Sequence, residues 1–276
     1  MRPIASFLVA STLLLTVGCR KEKEPNEPMT QSEARSALEE STIDSQAAAL
    51  TTSTVEISTD FTVGKAVTEA AAELREKIAA ELPCAEVTLA DATLTVAYGK
   101  HGACSYKGQS LSGTHAITVA KNEEVIEVDH TFTELSNGKV SVSGTAHVTW
   151  DFDDRTRTVE HDLTWTRLRD GRTGRGTGER VQRPLESGLA EGIQVDGSRT
   201  WTGQAGRWDL TIEGVQTRWA DPIPQAGTYR LATPRGRSLE LSFRRVDADS
   251  IEATLKTDRR EFKFVVNGSG DVAGES

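Results

Sequence analysis

The chain has 276 residues, 37% hydrophobic and 26% charged, with 32 basic against 41 acidic side chains and a formal net charge of −9. That balance excludes a general affinity for nucleic acid or for anionic membrane surfaces, and no nucleic-acid partner is expected. The three cysteines are an odd number, so one of them stands outside any intramolecular pairing.

Met1–Gly18 carries one basic residue, Arg2, and then an apolar run that ends at Val17. The run is too short to span a bilayer as a helix, which needs ~20 residues. A signal peptide over residues 1–18 is the expectation. Its ending, Leu15-Thr16-Val17-Gly18-Cys19, resembles the lipobox of bacterial lipoproteins, with Thr16 where Leu is usual. The resemblance covers residues 1–19 only. It implies that Cys19 is thioether-linked to diacylglycerol and becomes the acylated mature N-terminus. It also implies a cell-envelope location, anchored to the membrane by lipid and facing the periplasm or the cell surface. Arg20 follows in place of the Asp that retains many such proteins at the inner membrane, so the outer membrane is favoured. With Cys19 lipidated, Cys84 and Cys104 remain to pair in an oxidising compartment.

Residues 19–62 read as a lipidated tether with a marginal helical segment. Arg20–Thr30 is charged and Pro-containing, the composition of a flexible linker. Gln31–Leu50 has helical composition but only a weak apolar stripe. The domain itself is expected over 63–276. It opens with a helix over Gly64–Leu82, in which Val67, Ala70, Ala71, Leu74, Ile78 and Leu82 share one face. Pro83 stops it, and Cys84 follows at once.

Leu111–Thr166 contains one pattern twice, 31 residues apart. Leu111-Ser112-Gly113-Thr114 returns as Val142-Ser143-Gly144-Thr145, and Val128-Asp129-His130-Thr131 returns as Val159-Glu160-His161-Asp162. Val195-Asp196-Gly197-Ser198 is a looser third copy. Each copy alternates apolar with polar at period two, as a half-buried antiparallel strand does. A turn at Asn122-Glu123 would set His115 opposite His130 and Ile117 opposite Val128. A three-residue loop with left-handed Gly138 would keep Phe132 beside Val142, and a turn at Asp153-Asp154 would pair Val148 with Val159 and Gly144 with Leu163. One face then carries Leu111, Ile117, Val119, Ile126, Val128, Phe132, Val140, Val142, Val148, Val159, Leu163 and Trp165, and is dry. The other carries Ser, Thr, Asp and Glu, and is wet.

Residues 167–192 read as an Arg/Gly-rich insertion, here a solvated loop. Alternation then resumes. Trp201 and Trp208 face each other across a hairpin, followed by strands around Tyr229, Leu241, Ala253 and Phe264, with turns between them. The fold class is mainly β, an antiparallel meander of about ten to twelve strands forming a β-sandwich or partly open barrel, with the N-terminal helix packed on it.

Catalytic signatures are missing. Gly108-Gln109-Ser110-Leu111-Ser112 lacks the second Gly of a nucleophile elbow. Glu160, His161 and Asp162 are strand neighbours pointing to opposite faces. Gly174-Arg175-Gly176-Thr177-Gly178 lacks the Lys of a phosphate loop. His115, His130 and His161 are candidate ligand or metal residues, since imidazole suits zinc or copper. The expectation is that they are structural, with no cofactor bound. Arg167, Arg169, Arg172, Arg175, Arg180 and Arg183 are candidate anion-binding residues, able to grip lipopolysaccharide or peptidoglycan groups. The function expected is non-enzymatic scaffolding or binding at the envelope, with the membrane as one partner and lipopolysaccharide, peptidoglycan or protein as the other. The alternatives are a carrier holding a lipid or other hydrophobic ligand against the dry face, and a His-based metalloenzyme.

Overall fold

A computed structural model describes residues 27–58, 67–121, 126–151, 154–188 and 191–273. The expected signal peptide, Cys19 and most of the expected tether lie outside these, as do residues 122–125. Among the described residues two helices, α1 (Gln31–Glu56) and α2 (Val67–Glu81), precede fifteen strands. These are β1 (Glu86–Ala90), β2 (Thr93–Ala97), β3 (Cys104–Tyr106), β4 (Gln109–Lys121), β5 (Ile126–Ser136), β6 (Val140–Asp151), β7 (Thr156–Arg167), β8 (Thr173–Pro184), β9 (Ile193–Gly203), β10 (Gly206–Thr217), β11 (Ala226–Ala232), β12 (Ser238–Arg245), β13 (Ser250–Lys256), β14 (Glu261–Asn267) and β15 (Val272–Ala273). All pair antiparallel in chain order, except that β2 pairs with β4 while short β3 pairs with the start of β4. The expected mainly-β meander with helix packed on it is therefore present, as one open sheet that does not close.

Every residue assigned to the dry face is buried, from Leu111 to Trp165, and none of the wet-face set is. The register between β4 and β5 is two residues away from the expected one. His115 lies opposite Phe132, Ile117 opposite His130 and Val119 opposite Val128. Lys121 pairs with Ile126 where the expected turn would have paired it with Glu124, and a slip of two leaves every face unchanged. Between β5 and β6 the register also differs by two, with Phe132 opposite Gly144 and Val128 opposite Val148. A bulge at Thr133–Glu134 then brings Leu135 opposite Val142. The β6–β7 register is as expected, Val148 to Val159 and Gly144 to Leu163.

The repeated glycine has a mechanical role. Gly113 (φ +89°) and Gly144 (φ +134°) sit in the left-handed region, and a Cβ on them would lie 2.3 and 2.2 Å from the carbonyl oxygens of Glu134 and Asp162. Gly197 of the third copy repeats the geometry against Glu179. Each copy lets a neighbouring strand approach closely and bends the sheet, so the repeat in sequence is a repeat of curvature.

The curled sheet wraps α1. This corrects the expectation of a marginal helix in the tether. Thr30 and Glu33 form a capping box, with Glu33 N donating to Thr30 Oγ1 at 3.3 Å and Thr30 N donating to Glu33 Oε2 at 2.9 Å. From Ser41 to Ala47 and from Leu50 to Ser58 every residue is buried. α1 packs against β6 and β7 on one side and β14 and β15 on the other. From Ser41 onward it has no apolar stripe because it has no wet side to contrast with one, whereas Gln31, Ser32, Arg35 and Ser36 in its first turns are exposed. Four of its hydroxyls are satisfied within the helix, Thr42 donating to the Leu38 carbonyl, Thr51 to Ala47, Ser53 to Ala49 and Thr54 to Leu50. At one end the sheet is drawn round by Lys139 Nζ donating to the Gly268 carbonyl at 2.7 Å and by an Arg169–Asp271 ion pair.

α2 covers β1, β2 and β4 with Ala70, Ala71, Leu74 and Ile78, as expected, although residues 59–66 lie outside those described. Cys84, just past α2, is bonded to Cys104 in β3, with Cα atoms 5.4 Å apart. The bond closes a separation of 20 residues. Replacing both cysteines by Ser should lower the urea unfolding free energy by about 3 kcal/mol, from the loop entropy returned to the unfolded chain. An unchanged midpoint would show that the link adds nothing.

Residues 173–184 are not a loop. They form β8, paired along its whole length with β7 and β9. Gly174, Gly176 and Gly178 face inward beneath Trp165, Trp201, Arg199 and His161, each approaching to 2.7 Å of where a glycine Cβ would stand. The missing side chains that suggested a loop are what lets bulky neighbours on β7 and β9 fold over this strand.

Candidate functional site

The inward alternation of β7, β8 and β9 continues past its apolar residues into charge. Two residues before Val159 stands Arg157, two after Gly178 stands Arg180, and two before Trp201 stands Arg199. All three are buried, at 2%, 4% and 3% relative exposure. Opposite them α1 presents Asp44, Ser45, Thr52 and Glu56, also buried. A polar seam thus runs between the helix and the sheet.

Glu56 takes two cations, Arg157 Nη1 at 2.6 Å and Lys107 Nζ at 3.6 Å. Arg157 Nε donates to Gln182 Oε1 at 2.6 Å, and Gln182 Nε2 donates to Thr52 Oγ1 at 3.3 Å. Asp44 Oδ2 lies 2.8 Å from Arg199 Nη1, while Arg199 Nη2 donates to the Tyr229 hydroxyl at 3.1 Å. Arg180 contacts Thr52 Oγ1 at 3.5 Å and pairs with no carboxylate among the described residues. Burial raises the Asp44 carboxyl above its ordinary range, with Arg199 and Arg180 acting in the opposite sense. Burial and then the repulsion of Arg199 bring Arg180 down to about 9, so it is still charged at neutral pH. Three guanidiniums face two carboxylates here, and Lys107 adds a further half-buried cation. Arg180 Nε and Arg199 Nε have no hydrogen-bond partner.

The histidines form a separate group. His115 Nε2 and His130 Nδ1 are 2.8 Å apart, with stacked rings, and the Tyr98 hydroxyl is 3.5 Å from His115 Nδ1. Both are buried and held neutral, His115 down to about 3 by desolvation. They are diagonal neighbours and not a directly opposed pair, and the small residue beside His130 is Ala146, with Gly144 beside Phe132. His161 lies across Ala146 in the same row. Among the described residues no three His, Cys, Asp or Glu side chains gather as a metal-binding group. His147 is on the wet face, its Nδ1 2.8 Å from Asp129 Oδ1.

The six arginines proposed from sequence do not act together. Arg167 pairs with Asp170, Arg169 with Asp271, Arg172 with Glu39 and Glu40, Arg175 with Asp162 and Arg183 with Asp196. Five are thus engaged by carboxylates on the protein itself; Arg167 and Arg180 are buried, and Arg180 alone of the six has no carboxylate partner among the described residues. Trp201 and Trp208 stack on one another in the core, 5.8 Å apart and 3° from parallel. Arg157, Arg199, Asp44 and Glu56 were not singled out by the sequence reading. The signal for the first two was available, because counting the alternation onward from Val159 and back from Trp201 places both on the dry face.

The class defined by this geometry is an open antiparallel sheet curled about a polar N-terminal helix, with an ionic seam between them. Comparisons with protein-family models, with curated proteins and with solved structures find no match.

Proposed function

We propose that this is a lipoprotein of the bacterial cell envelope, anchored through Cys19, whose folded body has a binding or scaffolding role and no catalytic one. The observation that carries the reading is the state of the cysteines. Cys84 and Cys104 are consumed by their disulfide, which leaves Cys19, at the end of a lipobox-like sequence, as the remaining thiol. A charged, Pro-containing segment follows it and joins α1 at the capping box, a layout suited to holding a rigid domain off a membrane. The interior favours this over a carrier of lipid, because α1 fills the hollow of the sheet where an acyl chain would lie. The wet face, rich in Thr, Ser and acids, is the surface offered to an envelope partner.

Metabolic labelling with an acyl-chain probe tests the anchor. Wild-type protein should take up label and fractionate with membranes, the outer membrane in particular. Cys19→Ala should lose the label and leave the membrane fraction. An unlabelled wild type would refute the reading.

A further inference from the structure

We propose that the seam holds a small inorganic monoanion of halide size, with chloride as the probe, between Arg180 and Arg199. The inference is independent of the membrane address and rests on three observations at one place. A cavity of ≈ 30 Å³ lies between α1 and strands β8 to β11, and both arginines line it. About 10–15 Å³ of such space is enough for one water molecule, so the cavity is on the scale of one or two atom-sized guests and small for sugar or acyl cargo.

Both arginines carry an unpartnered Nε, and both are more than nine-tenths buried. The charges do not balance. Glu56 serves Arg157 and Lys107, and Asp44 pairs with Arg199 while its charge is shared with Arg180, so among the described residues the cations of the seam outnumber its carboxylates and Arg180 has no ion pair of its own. A buried unpaired charge is strongly unfavourable, and a water molecule in the cavity would solvate it without cancelling it.

The surroundings suit an anion. Ser45, Thr52 and Tyr229 bring hydroxyl groups to the cavity wall, while Ile193, Val195, Ile212 and Val215 supply its apolar part. The remaining wall carboxylate, Asp221, is held by Arg245, and Arg218 also borders the cavity. An anion seated here would connect helix and sheet electrostatically without displacing any existing ion pair.

The test uses the full-length protein in detergent, unfolded thermally in chloride, bromide or gluconate at equal ionic strength. Chloride and bromide should raise the melting temperature saturably over gluconate, and Arg180→Met should abolish that difference. Crystals of the wild type grown in bromide should show an anomalous peak between Arg180 and Arg199. Equal melting in chloride and gluconate, a halide effect that survives in Arg180→Met, or an empty cavity in the bromide crystals would each overturn the proposal. If Arg180→Met does not fold, the bromide crystals decide alone.

Discussion

Below pH 6 the free energy of unfolding should fall by about 3 kcal/mol per pH unit from His115 and His130 alone, at ~1.4 kcal/mol for each proton taken up on unfolding. Both rings are fully buried, and desolvation holds them neutral, below the ordinary value of 6.5. His130 is also opposed by His115, Arg157 and His147. A group whose folded pKa is lowered in this way leaves stability intact above its unfolded pKa. The unfolded chain binds the extra protons as pH drops through 6.5, and the loss continues towards about 3, the folded value of His115. His161, held down to about 2 by burial and by Arg180 and Arg199, adds in the same direction. Urea unfolding at pH 7, 6 and 5 measures the slope. The paired replacement of His115 and His130 by Leu should flatten it by the stated amount, and an equal slope in that variant would show that the acid response comes from elsewhere.

Glu56→Ala should cost about 3–5 kcal/mol, the range for removing one partner of a buried ion pair. Among the described residues Glu56 is the one carboxylate paired with Arg157 and it also holds Lys107, so its loss leaves the buried Arg157 guanidinium without its ion pair and takes from Lys107 the closer of its carboxylate neighbours. Arg157→Met should cost less than Glu56→Ala, because Glu56 keeps Lys107. Combining Glu56→Leu with Arg157→Met should recover part of the loss, since the uncompensated guanidinium goes with its partner. Additive losses in that double variant would show that the pair is not coupled.

The dry face was legible residue by residue, because period-two alternation is a local property that survives an error of two in register. The registers themselves were partly hidden. Their values depend on which residues pair at the ends of β4 and β5, Lys121 with Ile126, and on a bulge at Thr133–Glu134, and neither has a residue signature as plain as Asn-Gly. β8 was misread for a different reason. A strand whose inward positions are Gly, Gly, Gly, Arg and Gln shows no hydrophobic period at all, since its burial comes from neighbours lying over it. α1 failed in the same sense. An amphipathic pattern records a boundary between core and water, and from Ser41 onward this helix is buried on every side and has no such boundary to record. The ionic seam needed the third dimension, because Asp44 and Arg199 are 155 residues apart in the chain.

The position of α1 at the start of the chain bears on how the domain is assembled. Its bonds to the far end of the sheet, Arg35 to the Val272 carbonyl and Gln46 to the Ser269 carbonyl, span 237 and 223 residues. Contacts of such separation make for slow folding, because the loop between them must be ordered first. During synthesis the helix emerges before any strand, and alone it is polar enough to wait in water without aggregating. The strands lack that protection, since their inward faces stay bare until the helix docks and the last hairpins arrive. Deleting β14 and β15 should therefore yield a chain that collects in aggregates, not a smaller stable sheet, with its early strands fully made and nothing yet closed over them.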